Sequence, residues 1–239
     1  MPKYPPRKGK RRPEVSAHMS TDDPKEEKEE TNGAFVDDDA DPAPDTDLEL
    51  LPDPRDAPPP VAVAELAAAC VRFVAAKYKV PLDFEPETLS LVDQYVRDGR
   101  EELASKPEAL DLLQASIGAY FGETLRRAFG ATWFCDGDYD GWRLDFTYVY
   151  LTFNPIGMAR EALILGTADG WHAHLEADAG EREILEQRLA SLGEIEEEEF
   201  YAPTTRFDVV EIAVDTLRAK MQADGNGDVI FRAEDYRGK

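Results

Sequence analysis

Residues 131–153 read ATWFCDGDYDGWRLDFTYVYLTF, and this aromatic stretch decides the fold class. Aromatic and β-branched residues fill both of its ends, and the turn-forming run DGDYDG at 136–141 lies between them. Two such runs joined by a turn rich in glycine and aspartate predict a β-hairpin, with strands over 131–135 and 142–153. The sequence therefore predicts a small antiparallel sheet.

Helical patterns lie before the hairpin. Apolar residues at helical spacing predict a first helix over 61–80 and a second that starts at Pro86 and stops before Pro107. A third helix is predicted to begin at Ser105 as N-cap, in a capping-box pattern, and to end at Gly130. Within it, Gly118 and Gly122 lower the helix propensity, so we expect another element to approach them closely.

Further elements follow the hairpin. The pattern predicts a short helix over 156–165, a strand over 171–177, a helix from Asp178 to Leu192, and a long last helix that opens near Thr205. Residues 228–236 fit a short strand or a loose tail. We expect an α+β fold, in which N-terminal helices pack on a small antiparallel sheet and further helices follow.

The first 60 residues differ in composition from the rest of the chain. Residues 1–13 are basic and contain no acid, whereas residues 22–56 are rich in aspartate, glutamate and proline. Few apolar side chains are present there to offset the entropy of ordering. We therefore expect residues 1–60 to be a disordered tail and residues 61–239 to form a single domain.

The chain is strongly acidic, with a formal net charge of -23. Such a charge repels nucleic acid and anionic membranes and attracts basic proteins. The basic N-terminus is followed by no apolar run of the kind that a secretion signal needs. We expect a cytoplasmic protein, bacterial by its composition, whose partner is a protein of basic character; the sequence does not indicate an oligomeric state.

The hairpin turn follows the opening of an EF-hand calcium loop. Asp136, Asp138 and Asp140 supply carboxylates at alternate positions, which is how such a loop surrounds a hard cation. The twelfth position holds Thr147, where a bidentate glutamate is required, and the flanks are predicted strands. An acidic β-turn is the favoured interpretation, and calcium is the only cofactor that the sequence suggests.

Catalytic candidates are few. His172, His174 and Glu176 alternate along the predicted strand 171–177, so on a strand they would face one side, as metal ligands do. A solvent-facing polar stripe is the favoured interpretation, since nothing marks a fourth ligand. Cys135 is a candidate nucleophile whose partners would meet only in the fold. No nucleophile-elbow, phosphate-loop or dinucleotide motif occurs.

Part of the chain resembles a known group of proteins. The run IGAYFGE at 117–123, the arginines that follow it and the run GATW at 130–133 resemble the GAY-x-GE…R…GG-x-W signature of small bacterial domains of unknown function. The entry LDFEPETL at 82–89 and the break at Asn154-Pro155 are similar to that group as well. The pattern departs at Ala131, where a second glycine is usual.

The resemblance covers roughly residues 82–165 and implies a helix-to-strand unit without known chemistry. Within it, we predict a binding role for the polar and aromatic residues of the signature. A second predicted binding cluster lies in the basic head, which contrasts with its acidic surroundings and suits a linear motif, a phosphate contact or an internal contact. The predicted binding residues are Tyr120, Glu123, Arg126 and Arg127 in the signature, and Lys8, Lys10, Arg11 and Arg12 in the head.

These patterns favour one function over two alternatives. The acidic body, the charged tail and the missing catalytic motif favour a non-catalytic protein–protein interaction module, an adaptor, regulator or immunity-like factor with an acidic binding surface. A divalent-cation-binding regulatory protein that uses the Asp136–Asp140 turn is the first alternative. An unrecognised enzyme that uses Cys135 or the two histidines is the second.

Overall fold

The computed structural model describes residues 53–191, 193 and 195–237. The basic cluster and most of the predicted tail lie outside these residues. Within them, helices pack against a small antiparallel sheet, so the predicted α+β fold is confirmed. No helix in this part of the chain is long and apolar enough to cross a membrane. The helices are α1 (Val61–Tyr78), α2 (Leu89–Leu103), α3 (Leu110–Phe129), α4 (Pro155–Ile164), α5 (Ala179–Ala190), α6 (Glu197–Phe200) and α7 (Pro203–Ala223), and the strands are β1 (Ala131–Phe134), β2 (Arg143–Phe146), β3 (Leu151–Phe153) and β4 (Glu176–Ala177).

Helix α3 forms the centre of the core. Every residue from Leu113 to Arg126 is buried, and both α1 and α4 pack along this helix. Its end at Gly130 is confirmed, with a φ of +77° that a side chain would disfavour. The central position explains why α3 is buried nearly all round rather than on one stripe.

The two glycines of α3 allow close packing, as expected. A Cβ on Gly118 would lie 2.4 Å from the Cα of Ile156 at the start of α4. A Cβ on Gly122 would lie 2.2 Å from the Trp133 ring on β1. Both positions therefore exclude any side chain, and this contact offsets the helix propensity that glycine loses.

The sheet has the strand order β1-β2-β3-β4, with antiparallel pairs throughout the described part of the chain. The predicted hairpin of β1 and β2 is confirmed: Leu144 on β2 lies opposite Trp133. Leu144 also lies opposite Phe153 on β3, and all three side chains are buried. These residues form the inner face of the sheet, next to α3.

The single strand predicted over 142–153 is wrong, because the chain bends at 147–150 and continues as β3. Tyr236, far along the chain, fills this bend. Its hydroxyl lies 2.7 Å from the carbonyl oxygen of Phe146 and accepts a hydrogen bond of 3.2 Å from the Leu151 N–H. A buried side chain thus satisfies backbone groups that a continuous strand would have paired with a neighbour.

The strand predicted over 171–177 is also mostly wrong, since only Glu176–Ala177 pairs in the sheet. His172 has a φ of +49°, which interrupts the alternation of an extended strand. Its carbonyl instead accepts a hydrogen bond from the Asn154 N–H at 2.8 Å. Packing against the start of α4 therefore overrides the local pattern.

Ser105 is not an N-cap, which corrects the predicted start of the third helix. Its hydroxyl donates to the carbonyl of Glu102 at the end of α2, at 3.0 Å. Helix α3 follows a short 3₁₀ turn at Pro107–Ala109 and has no side-chain cap.

A turn at residues 53–57 precedes α1 and packs on α3. Arg126 donates through Nη1 to the carbonyls of Pro54 and Arg55. The described fold therefore includes residues before the predicted domain start at 61.

Candidate binding site at the acidic turn

Asn154 fixes the acidic turn of the hairpin to the body of the protein. Its side chain is fully buried, and its Nδ2 donates to the carbonyls of Tyr139 at 2.8 Å and Asp140 at 3.3 Å. Its Oδ1 accepts from the N–H groups of Ile156 and Gly157 and so caps α4. One amide therefore connects the backbone of the turn to a helix N-terminus.

A recess of about 540 Å³, which we call the acidic hollow, lies beside this turn. Three carboxylates line it, one from the start of α3 and two from the turn, together with two aromatic rings. None of its lining residues is basic. The acidic hollow is formed by Asp111, Gln114, Gly137, Asp138, Tyr139, Asp140 and Trp171.

A chain of contacts sets the rim of the acidic hollow. Gln114 is buried; it donates to Asp111 Oδ1 at 3.2 Å and accepts from Arg160 Nη1 at 2.8 Å. The Arg160 guanidinium in turn lies 4.9 Å from the centre of the Trp171 ring. The tryptophan already contacts one guanidinium, and this contact orients it next to the carboxylates.

The turn does not form a compact metal site. Asp136, Asp138 and Asp140 are exposed, and only the last two line the acidic hollow. Across the residues that the structure describes, no group of three or more histidine, cysteine, aspartate or glutamate side chains is placed to hold a metal ion. Calcium binding stays a prediction that draws no support from this geometry.

The residues of the predicted signature lie mainly in the interior. Tyr120 is buried, its hydroxyl accepts from the Phe84 N–H at 3.0 Å and lies 3.0 Å from Thr88 Oγ1, and its ring stacks on Phe84. Burial raises the pKa of Tyr120 above its usual value. These contacts hold the LDFEPETL entry against α3.

Glu123 and Arg126 form a buried ion pair. Arg126 donates through Nε to Glu123 Oε1 at 2.9 Å, and Trp133 Nε1 donates to the same oxygen at 2.9 Å. Arg127 is exposed and lies 4.0 Å over the ring of Phe84. Among the predicted signature residues, Arg127 therefore has the side chain that faces solvent, whereas the other three pack inside.

The catalytic candidates do not come together. His172 Nδ1 lies 3.3 Å from Glu176, whereas His174 Nε2 lies 3.7 Å from the buried Glu161. Cys135 is half-buried, has no hydrogen-bonded histidine among the described residues, and has its pKa raised to about 11 by burial. A thiol of that pKa is a weak nucleophile near neutral pH.

The most important residues of this site were missed by the sequence reasoning. Asn154 was read only as a strand break, although an asparagine directly before a proline is a typical helix start, with the proline at the first helical position. Gln114 and Trp171 carried no such signal, because the contacts of both with Arg160 depend on how distant segments pack on α4. Comparison of the chain with protein-family models, with curated proteins and with solved structures found no match.

Proposed function

We propose that this chain is a non-catalytic protein–protein interaction module that binds a basic segment of its partner in the acidic hollow. One observation carries the proposal: three carboxylates and two aromatic rings line one recess, and two buried side chains, Asn154 and Gln114, hold the turn backbone and Asp111 beside it. Lysine and arginine side chains suit such a recess, because carboxylates accept their hydrogen bonds and ring faces attract their charge.

The donor set of the hollow favours a large organic cation over a metal ion. Among the described residues, no group of three or more histidine, cysteine, aspartate or glutamate side chains is placed to hold a metal ion. A guanidinium, in contrast, spreads five donors over a planar fork. Asp111 comes from α3, and Asp138 and Asp140 come from the hairpin turn, so an arginine side chain that enters the hollow has carboxylates from two elements available to it.

The charge of the whole chain supports the same partner chemistry. A net charge of -23 attracts basic proteins over long range and speeds their association. The acidic hollow then supplies short-range contacts from its carboxylates and aromatic rings. The high pKa of Cys135 and the separate partners of the two histidines support a non-catalytic role.

Calorimetry with a hexa-arginine peptide and the full chain at physiological salt tests the proposal. The variant Asp138→Asn with Asp140→Asn removes two charges from the hollow. The matched control, Asp208→Asn with Asp215→Asn, removes two charges from the exposed face of α7. Hydrogen bonds to charged groups contribute about 1.5–3 kcal/mol each, so we expect the hollow variant to bind at least about tenfold more weakly.

The control variant should bind hexa-arginine within about twofold of the unaltered chain, because a distant surface charge acts mainly through screened long-range attraction. Equal weakening of both variants would mean that total charge alone draws the peptide, and the acidic hollow would then have no specific role.

A further inference from the structure

A second recess of about 350 Å³ is lined by the end of the acidic turn, by strands β2, β3 and β4, and by the start of α5. We call it the sheet cleft. Its volume is at the small end of the range for small-molecule sites, which is about 300–1,000 Å³. Two arginines and several aromatic side chains line it, among them Trp142, Arg143, Tyr150, Arg182 and Tyr236.

Arg143 is held in the sheet cleft by one edge of its guanidinium group. Its Nε donates to the Asp145 carboxylate, at 3.0 and 3.2 Å, and its guanidinium carbon lies 3.9 Å from the centre of the Phe134 ring. The Thr152 hydroxyl donates to the same carboxylate at 2.6 Å. The two terminal nitrogens of Arg143 have no hydrogen-bond partner among the described residues, so this edge is left for a ligand.

The contacts of Arg143 do more than stabilise the fold. Asp145 is 4% exposed, and the cost of burying its charge raises its pKa. A buried ion pair often stabilises a protein no more than apolar residues of the same volume would. The Arg143–Asp145 pair fixes the orientation of the guanidinium group, whose two terminal nitrogens have no hydrogen-bond partner among the described residues.

The charges of the other residues that line the sheet cleft limit which ligands can bind there. The side chain of Arg182, in the first turns of α5, has no ion pair or hydrogen bond among the described residues and adds a second positive charge. Glu176 also lines the cleft and pairs with His172, and Asp140 lines its edge. Because these carboxylates repel a polyanion, the mixed charge favours a ligand with a single anionic group.

We propose that the sheet cleft binds a small molecule with a flat apolar body and one carboxylate or phosphate group, held by Arg143 and Arg182. The rings of Trp142 and Tyr236 supply the apolar contact. This site shares Asp140 with the acidic hollow, but both of its arginines lie outside the lining of the hollow.

Three probes test the proposal on the full chain, with binding followed by two-dimensional amide and indole NMR. Benzoate carries a carboxylate, phenyl phosphate carries a phosphate group, and benzamide is the neutral analogue of benzoate. We expect one of the two anions to shift the Trp142 indole signal at about tenfold lower concentration than benzamide, since a charge-assisted pair contributes more than about 1.4 kcal/mol. The stronger anion distinguishes a carboxylate from a phosphate ligand.

Arg143→Gln and Arg182→Gln should each weaken binding of that anion several-fold. Arg188→Gln, an exposed change on the same helix as Arg182, is the control and should leave it unchanged. Because Arg143→Gln leaves Asp145 without its charged partner and can disturb folding, Arg182→Gln is the decisive variant. The proposal would be overturned if benzamide bound as tightly as the two anions, or if none of the three probes bound. It would also be overturned if Arg182→Gln weakened anion binding no more than Arg188→Gln does.

Discussion

Gly118 lies where α3 touches the start of α4, and its replacement by alanine should destabilise the protein by about 2 kcal/mol. The new Cβ would lie 2.4 Å from the Cα and 2.8 Å from the backbone nitrogen of Ile156. Both are backbone atoms, so no rotation of a side chain can relieve the overlap, and the two helices must separate.

The magnitude follows from two opposing effects. Overpacking a core costs about 1–3 kcal/mol, and a clash with backbone lies at the upper end of that range. Alanine gains about 1 kcal/mol over glycine in a helix, which offsets part of this cost. For a domain of this size, about 2 kcal/mol lowers the melting temperature by roughly 4–8 °C.

Gly180 in α5 provides a matched control, because a Cβ there has nothing within 4 Å. Gly180→Ala should leave the melting temperature unchanged or raise it, by an amount that corresponds to at most about 1 kcal/mol. Calorimetry of both variants measures the two melting temperatures. If Gly118→Ala also melts at or above the temperature of the unaltered chain, the close approach of α3 and α4 is refuted.

The same variant tests how the fold positions the acidic hollow. Gly118 also approaches the Pro155 carbonyl, next to the Asn154 side chain that holds the turn. A shift of α4 should therefore move the turn carboxylates. Gly118→Ala is expected to weaken hexa-arginine binding, whereas Gly180→Ala should not affect it.

Four further outcomes are expected. Tyr236→Phe should lower the free energy of unfolding in urea by about 1–2 kcal/mol, because the buried Leu151 N–H loses its acceptor. Glu123→Gln should lower it by about 3 kcal/mol, since Arg126 keeps a buried charge without a charged partner. Iodoacetamide should modify Cys135 more slowly at pH 8 than in the unfolded chain, because its raised pKa lowers the thiolate fraction; an equal rate would contradict this. Calcium at about 1 mM should leave the melting temperature equal to that in sodium chloride of the same ionic strength, since the turn carboxylates do not converge, and a rise would revive the calcium hypothesis.

Local patterns were enough to predict the hairpin and six of the seven described helices, all but the short α6, although α3 begins at Leu110 rather than at Ser105. The apolar spacing of α1, α2 and α3 is strong, and Gly118 and Gly122 correctly indicated a close contact. The glycine- and aspartate-rich turn correctly placed β1 beside β2. In each of these elements, the residues that decide the structure are neighbours in the sequence.

Distant contacts explain what the patterns could not show. The bend at 147–150 depends on Tyr236, and the irregular chain at His172 depends on the Asn154 backbone. The acidic hollow combines the start of α3 with the turn and Trp171, which meet only after α3 packs on α4. Periodicity carries no information about such contacts, so the sequence marks Asp138 and Asp140 but neither Asp111 nor the recess that the three residues line.

The most direct test of the proposed function is a pull-down from native lysate with the full chain, read by mass spectrometry. The unaltered chain is compared with the hollow variant (Asp138→Asn with Asp140→Asn) and with the α7 control variant (Asp208→Asn with Asp215→Asn). We predict a basic protein that the unaltered chain and the control variant retain and the hollow variant loses. The same proteins retained by all three chains, or no protein retained by any, would contradict binding through the acidic hollow.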